Sequence, residues 1–336
     1  MKFRVVASDF AIDLGTSNIL VYKKNEGVIL REPAIIALDE NNTKVLAVGN
    51  QAKEMLGKTP SNINVVRPIV NGVITDFNLT EALLNYLFNE VNPGMSFLQP
   101  RVVICVPSGI TDIASRAVED AALHAGSRDI ILVDESIAAA YGMGLAPEDP
   151  RGRLLLNLGA GTTEVCVVSL NGIVTSRTIN KGGDYLDEAI IEYFKDNKKL
   201  DIGKNTAEEI KNNILSLRVK DKDLSMLVDG RDLLTAAPKT IEIASKDLVE
   251  CVLPYADEII NMVYEVLEKI PPELTSDIKK DGFGLTGALS QMLGLRQYIE
   301  NKLNLTSYIS EDPATDAILG AGKILDDPEK FFKYGK

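Results

Sequence analysis

Residues 11–22 have the sequence AIDLGTSNILVY, in which two apolar runs flank a short turn that contains glycine and threonine. Much later in the chain, residues 154–168 have the sequence LLLNLGAGTTEVCVV and repeat this plan. In both places a second turn follows, at Gly27 and at Asn171-Gly172, and leads into another apolar run. Asn-Gly is a preferred two-residue hairpin turn. The repeat predicts two domains with a duplicated core, each beginning with strand, turn and strand, and a cleft between them.

The segment between the two repeats alternates between strand-like and helix-like patterns. In order, it contains a strand at residues 101–106, a helix from Thr111 to Ala125, a strand at residues 130–133 and a helix from Ser136 to Met143. An earlier helix is indicated by apolar residues at helical spacing from Leu79 to Val91. The apolar positions of the Thr111 helix include Ile113, Ala117, Ala121 and Leu123, and Gly126 marks its end. A strand, a crossover helix and a second strand form a βαβ unit, which implies a parallel sheet and an α/β fold.

Composition favours a folded protein of about two domains. The chain has 336 residues, of which 45% are hydrophobic and 25% are charged, and this balance rules out a disordered or fibrous chain. No apolar run approaches the roughly 20 residues of a membrane-spanning helix. The start of the chain is too short for the apolar region of a signal peptide. We therefore expect a cytoplasmic protein.

Charge and the scarcity of certain side chains exclude several functional classes. The formal net charge is −12, and a chain of this charge without a basic patch repels nucleic acid. The single histidine, His124, lies near a predicted helix end, and Cys105, Cys166 and Cys251 are far apart in sequence. His-based zinc clusters and most Ser-His-Asp hydrolases are therefore disfavoured. The cysteines are interpreted as buried, reduced thiols.

The two glycine turns have the chemistry of a phosphate-binding clamp. Glycine lets backbone N–H groups approach an anion closely, and Thr16, Ser17, Thr162 and Thr163 add hydroxyl donors. Asp13 stands beside the first turn, where its carboxylate is suited to hold hydrated Mg²⁺. The alternative is that each turn is only a tight hairpin, but the matching positions of the pair favour phosphate binding.

A second phosphate-loop pattern, AKEMLGKT at residues 52–59, is rejected. A functional loop of that kind follows a strand and precedes a helix. Here a helical stretch precedes Gly57, and Pro60 follows the pattern directly.

The first turn resembles the first phosphate loop of the actin and heat-shock-chaperone ATPase superfamily. Within that superfamily the chain most resembles the bacterial actin family of MreB and its paralogues, from about Asp9 to Gly322. The segments that carry the resemblance are IDLGTSN (12–18), RP (67–68), GVI (72–74), RVVI (101–104), DE (134–135), AAA (138–140), GAGTTEV (159–165), GGD (182–184), TAEEIK (206–211) and LTG (285–287). Each is weak alone, and their order and spacing make the resemblance specific.

The resemblance implies an actin-like two-domain fold with ATP and Mg²⁺ in the interdomain cleft. The first domain is expected at residues 1–146, with a smaller subdomain at about 32–75. The second is expected at residues 147–314, with a smaller subdomain at about 182–244. Residues 315–336 are expected to form a C-terminal helix that returns to the first domain.

The resemblance also implies the residues of the site. Glu135 would orient the attacking water, with Thr162 holding the same water from the opposite side, because phosphoryl transfer depends mostly on positioning and charge stabilisation. Asp13 would hold Mg²⁺ through water. Thr206 and Glu209 have the spacing of a capping box, which predicts that the nucleoside-contacting helix begins there. Nucleotide-binding residues are implied at Asp13, Gly15, Thr16, Ser17, Asn18, Asn157, Gly159, Ala160, Gly161, Thr162, Thr163, Glu208, Glu209, Ile210, Lys211, Gly287, Ala288, Leu289 and Ser290.

Several positions depart from the family pattern. Asn157 replaces the aspartate that usually opens the second phosphate loop, which removes a negative charge near the metal. Asn71 and Ser136 replace a common aspartate and proline, and Ala288 and Leu289 replace two glycines under the adenine. We expect that ATP binding survives these changes and that hydrolysis is slow or vestigial.

Three functional classes remain open at this point. The favoured one is an ATP-binding, filament-forming bacterial actin of the cell-shape or motility cytoskeleton, whose partners are further copies of itself and its paralogues. The second is a scaffold of the same fold that is switched by nucleotide without hydrolysis. The third is a chaperone-type ATPase or a small-molecule kinase. A chaperone would need a peptide-binding domain, which is not expected in the few residues after Gly322, and a kinase would need a second polar pocket, for which no constellation of residues is evident.

A membrane contact is expected to be weak. Net charge −12 opposes binding to anionic lipid. The candidate anchor is the loop that contains Met95, Phe97 and Leu98, and the alternative is that these side chains belong to the core. Phe331-Phe332 in the tail is a second candidate.

Overall fold

The computed structural model describes residues 8–42, 44–58, 62–93, 99–108, 110–218 and 224–332, except for the side chains of Lys330 and Phe332. The chain divides into two compact units, each described below by itself. The first unit contains the described residues up to Arg151, residues 168–174 and the described residues from Ser310 onward. The second contains residues 152–167 and the described residues from Thr175 to Ile309.

The secondary structure of the described residues is as follows. The strands are β1 (Phe10–Leu14), β2 (Asn18–Lys23), β3 (Gly27–Pro33), β4 (Ile36–Asp39), β5 (Val45–Val48), β6 (Ile63–Val66), β7 (Ile69–Val70), β8 (Val73–Ile74), β9 (Arg101–Val106), β10 (Asp129–Asp134), β11 (Arg153–Leu158), β12 (Thr163–Ser169), β13 (Gly172–Ile179), β14 (Leu200–Asp201), β15 (Ser225–Asp232), β16 (Pro238–Ala244), β17 (Phe283–Thr286) and β18 (Ser307–Ile309). The α-helices are α1 (Asn50–Met55), α2 (Phe77–Val91), α3 (Asp112–His124), α4 (Glu135–Met143), α5 (Gly183–Tyr193), α6 (Lys204–Ile214), α7 (Val249–Leu267), α8 (Pro272–Asp281), α9 (Leu295–Leu303), α10 (Asp316–Asp326) and α11 (Pro328–Phe332).

The central sheet of the first unit has the strand order β3-β2-β1-β9-β10. The pairs β1–β2 and β2–β3 are antiparallel, whereas β1–β9 and β9–β10 are parallel. Residues 102–106 of β9 are all buried because a parallel strand in the middle of a sheet is covered on both faces. The predicted βαβ unit is confirmed.

The central sheet of the second unit repeats this order as β13-β12-β11-β17-β18. Here β11–β17 and β17–β18 are parallel and take the places of β1–β9 and β9–β10. The duplicated core that the repeated turn predicts is therefore present. Smaller sheets follow in each unit, with the orders β5-β4-β6 in the first and β14-β15-β16 in the second.

Helix α3 has a different apolar stripe from the one expected. It begins after Thr111, whose side chain accepts the N–H of Ala114, and it ends at His124. Ile113 and Leu123 are 84% and 49% exposed, so the expectation that they contribute to its apolar face was wrong. The core contact is made by Ala121, as expected, together with Val118 and Ala122, because these three residues lie on the side of the helix that faces the sheet.

Helix α6 begins earlier than the sequence indicated. Its first residue is Lys204, and Gly203 occupies the N-cap position without a side-chain hydrogen bond. Thr206 and Glu209 therefore lie within the first turns, and the predicted capping box is wrong. Ala207, Ile210 and Ile214 are buried and fix the register of the helix on the core.

Helices α4 and α10 touch at backbone distance. A Cβ atom added at Gly142 or Gly320 would overlap the carbonyl groups of Asp316 or Ala138. Cys105 Sγ on β9 also donates to the carbonyl oxygen of Ala317, at 3.7 Å. Through these contacts α10 packs against both α4 and β9 of the central sheet. The three cysteines are buried and are not joined by disulfide bonds, as expected.

Candidate functional site

The first predicted phosphate loop connects β1 to β2. A Cβ atom at Gly15 would lie 2.5 Å from the carbonyl oxygen of Asn18, so the loop is too tight for a side chain there. Thr16 is 7% exposed, and its Oγ1 accepts the N–H of Gly72 at 3.0 Å. Because the hydroxyl oxygen accepts this bond, its proton is available for donation. The carbonyl oxygen of Ser17 accepts the N–H of Ala34 at 2.9 Å and anchors the far side of the loop.

Two carboxyl groups and a thiol meet at the carboxyl ends of neighbouring strands. Asp13 on β1 lies opposite Cys105 on β9, and Glu135 opens α4 directly after β10. Burial, and then the nearby charge of Glu135, raise the pKa of the Asp13 carboxyl well above its ordinary value. Burial and the same two carboxylates raise the pKa of the Cys105 thiol. Such a concentration of negative charge would be relieved by a cation, which fits the predicted water-mediated Mg²⁺ at Asp13.

The second predicted phosphate loop lies between β11 and β12. The N–H of Gly159 donates to the carbonyl oxygen of Thr162 at 2.9 Å and closes the turn. The carbonyl oxygens of Gly159 and Ala160 accept the N–H groups of Gly183 and Asp184, at 3.1 and 2.9 Å. In a trans peptide the carbonyl and the following N–H point in opposite directions. The N–H groups of Ala160 and Gly161, which follow these two carbonyls, therefore point away from α5 and do not contact it.

The start of helix α5 presses directly on this loop. A Cβ atom at Gly182 would lie 2.5 Å from the carbonyl oxygen of Gly159 and 2.6 Å from that of Ala160. The φ of Gly182, −162°, suits any residue. Close packing, and not backbone conformation, therefore requires glycine at this position. The segment GGD (182–184) was among those that resemble the family, but no role in the site was predicted for it.

Thr163 is engaged differently from its predicted role as a phosphate donor. Its side chain is fully buried, and Oγ1 donates to the carbonyl oxygen of Lys181 at 2.7 Å. Since this uses its one proton, the 2.6 Å contact with Tyr255 is a hydrogen bond that Tyr255 donates. Loss of either partner would leave a buried polar group unpaired, at a cost of about 1–3 kcal/mol.

The predicted adenine loop packs against the second phosphate loop. Gly287 has φ +84°, and a Cβ atom there would lie 2.8 Å from Asn157 Oδ1. Residues 288–291 form a single 3₁₀ turn, in which Ser290 Oγ donates to the carbonyl oxygen of Gly287 at 2.6 Å. Leu289 belongs to the hydrophobic core, whereas Ala288 is exposed. Of the two residues that replace family glycines, only Ala288 presents its methyl group to the outside.

Helix α6 carries the predicted nucleoside contacts on different faces. Ile210 is fully buried, Glu208 is half-buried, and Glu209 is exposed. Lys211 Nζ donates to Asp187 Oδ2 at 2.7 Å and to the carbonyl oxygen of Gly183 at 3.1 Å. Of the predicted residues of the second unit, Lys211 and Gly287 lie next to the second phosphate loop, whereas Ile210 and Leu289 belong to the core.

The other predicted features have separate outcomes. Met95, Phe97 and Leu98 lie outside the described residues. Phe331 is 8% exposed, and its backbone oxygen accepts Asn171 Nδ2 at 3.1 Å. Within the described part of the chain, no helix combines the length and apolar character that crossing a membrane requires.

Two units with the same central strand order, each with a glycine turn at the same point, define an actin-like fold. The sequence model of the MreB/Mbl protein family matches residues 7–333, and the chain belongs to this family. It is 40% identical over 332 residues to the cell shape-determining protein MreB of Escherichia coli (strain K12), covering 97% of this chain and 95% of the relative. It is 38% identical over 327 residues to the cell shape-determining protein Mbl of Bacillus subtilis (strain 168), covering 97% and 98%.

A solved structure supports the same assignment. The crystal structure of MreB 5 of Spiroplasma citri bound to AMPPNP matches with a TM-score of 0.92 at 31% identity, covering 98% of this chain and 99% of that chain. The predicted family and actin-like fold are therefore confirmed. The chain is a bacterial actin homologue of the cell-shape cytoskeleton family.

Proposed function

We propose that this protein binds ATP with Mg²⁺, assembles with further copies of itself into filaments, and hydrolyses the nucleotide slowly. The observation that carries the proposal is the geometry of the second phosphate loop, in which α5 occupies the carbonyls of Gly159 and Ala160 and the amides of Ala160 and Gly161 face the other way. The MreB 5 structure with AMPPNP supports a nucleotide as the anion.

The phosphates would be bound by both loops. The hydroxyl proton of Thr16 and the amides of Ala160 and Gly161 supply donors without a side chain in the way. Asp13 would hold Mg²⁺ through water, and bound Mg²⁺ neutralises charge on the phosphate oxygens. Because its hydroxyl is engaged by Lys181, Thr163 would contribute through its backbone.

Hydrolysis would be promoted by Glu135, with Thr162 assisting. Glu135 is held in the first turn of α4 beside Asp13, where it can accept a hydrogen bond from the water that attacks the γ-phosphate. The products are ADP and phosphate. Asn157 supplies an amide where a carboxylate would strengthen the hold on the metal, which is why we expect slow turnover.

Replacing Thr16 by arginine should abolish measurable nucleotide binding. Thr16 is 7% exposed and bonded to Gly72, so a long cationic side chain cannot enter without displacing the loop. Titration of ATP with Mg²⁺ into wild type should give a saturable signal that the variant loses. Thr275→Arg, at an exposed position in α8, is the matched control and should bind as wild type does. No saturation of wild type at millimolar ATP would refute the site.

Sedimentation should show assembly that depends on nucleotide. We expect the pelleted fraction of the full chain to rise with protein concentration in ATP and Mg²⁺, while phosphate release from the same sample stays slow. Pelleting with no phosphate release would favour the scaffold that is switched by nucleotide alone. A chain that binds ATP yet stays in the supernatant at all concentrations would contradict filament formation.

Weak contact of such filaments with a membrane surface, and mixed assembly with paralogues, complete the proposal. The segment with Met95, Phe97 and Leu98 is the sequence candidate for the membrane contact. Many copies along a filament would add their weak individual affinities.

A further inference from the structure

A buried ion pair joins helices α5 and α6 behind the second phosphate loop. Lys211 Nζ lies 2.7 Å from Asp187 Oδ2, and the two side chains are only 11% and 13% exposed. The resemblance to the family implied that Lys211 contacts the nucleoside. In the structure its ammonium group is held by Asp187 and by the carbonyl oxygen of Gly183.

The pair is connected to the loop by a short chain of hydrogen bonds. Lys211 binds the carbonyl oxygen of Gly183, and the N–H of Gly183 binds the carbonyl oxygen of Gly159. The next residue, Asp184, binds the carbonyl oxygen of Ala160 in the same way. The direction of the loop carbonyls, and hence of the amides that would face phosphate, depends on where the first turn of α5 lies.

Asp187 lies among charges of both signs. From α5 it is acted on by Asp184, and from α6 by Glu208 and Lys211. Burial raises the pKa of Asp187 to about 6, the two carboxylates add to this, and Lys211 opposes it. The ion pair therefore exists above about pH 6 and loses its negative partner below it.

We propose that Asp187 is a positioning residue of the nucleotide site, which acts by holding Lys211 on Gly183 and so fixing the start of α5 against residues 159–162. This inference rests on the proposed nucleotide binding. It gives the site a built-in dependence on pH. When Asp187 takes up a proton, Lys211 loses its counter-charge in a buried place and moves toward solvent, and the loop loses its support.

Matched variants separate positioning from simple structural support. Asp187→Asn keeps a side-chain oxygen that can accept from Lys211 but removes the charge. The double variant Asp187→Leu, Lys211→Met fills the same space with apolar groups, and such replacements of buried ion pairs often preserve stability. Glu188→Gln is the control, because Glu188 and Lys204 form an exposed ion pair between the same two helices at 3.9 Å.

Titration of ADP with Mg²⁺ into the full chain between pH 5.5 and 8 tests the proposal. Wild type and the Glu188→Gln control should weaken about tenfold between pH 7.5 and 5.5, a typical size for coupling between two sites. Asp187→Asn should be about tenfold weaker at pH 7.5 and should change with pH only as the nucleotide itself titrates. The apolar double variant should melt near the wild-type temperature and still bind weakly.

Amide hydrogen exchange without nucleotide gives an independent reading. The N–H groups of Gly183 and Asp184 should exchange faster than in wild type in both Asp187→Asn and the double variant. In Glu188→Gln their exchange rates should equal those of wild type. Equal exchange, affinity and pH profile in Asp187→Asn and wild type would overturn the inference and leave the proposed function standing. Faster exchange with no nucleotide binding by wild type at any pH would overturn the proposed function, and with it the role in nucleotide positioning.

Discussion

Replacing Glu135 by alanine is expected to lower the rate of ATP hydrolysis about 100-fold, the lower end of what a positioned acid or base contributes. Nucleotide affinity should change little, because a residue that orients the attacking water acts on the transition state and not on the bound ground state. Glu135 suits this role since it opens α4, whose first turn is fully buried at Ser136, and lies close enough to Asp13 to raise the pKa of that carboxyl.

Single-turnover phosphate release with enzyme in excess is the appropriate measurement, because it separates the chemical step from product release. The alternative role for Glu135 is a first-turn carboxylate that is stabilised by the helix dipole. Glu273 has that position in α8 and is exposed, so Glu273→Ala is the matched control and should leave hydrolysis unchanged. If Glu135→Ala hydrolyses ATP at the wild-type rate, Glu135 has no role in catalysis and serves only as a first-turn residue of α4.

The central sheets were predictable because their signals are local. The runs at residues 11–22 and 154–168 contain both strands and the turn of each repeat within a few residues. The parallel pair β9–β10 followed from two short apolar runs joined by a helix of crossover length. In such segments the periodicity of the chain and the turn residues determine the structure without reference to distant contacts.

The failures arose where a distant contact decides the outcome. Helix α6 starts at Lys204, two residues before the capping signal at Thr206, and is held on the core by Ala207 and Ile210. The hydroxyl of Thr163 is engaged by Tyr255, which is 92 positions away in sequence. No local pattern marks either contact.

The support of the second phosphate loop was missed for the same reason. Gly182 belongs to the family motif GGD (182–184), for which no role was predicted, and Asp187 lies beyond this motif. Gly182 matters because it packs against the carbonyls of residues 159–160, and Asp187 matters because it pairs with Lys211 of the next helix. A pair of adjacent glycines at the start of a helix was the one available signal, since it indicates a close backbone approach.

Replacing Gly182 by alanine at the start of α5 is expected to weaken nucleotide binding strongly. The added methyl group would lie 2.5 to 2.8 Å from backbone atoms of Gly159 and Ala160, so either the loop or the helix start must shift. Overpacking of this kind costs about 1–3 kcal/mol of stability. A displacement of the donor groups by about 1 Å can cost as much as 100-fold in a positioned site. We expect nucleotide affinity to fall at least about tenfold.

Gly203→Ala is the control that isolates this clash, because the two glycines occupy the same position in neighbouring helices. Gly203 is the N-cap of α6 as Gly182 is of α5, both have negative φ, and a Cβ atom at Gly203 would meet nothing within 4 Å. Both variants therefore share the intrinsic change at an N-cap, which from glycine to alanine costs about 0.5–1 kcal/mol of stability. Nucleotide titration should show a loss of affinity only in Gly182→Ala, and thermal unfolding should show a larger loss of stability in Gly182→Ala than in Gly203→Ala. If the two variants bind alike, the contact between α5 and residues 159–162 does not set the geometry of the phosphate loop, and the amides of that loop must be oriented by the turn alone.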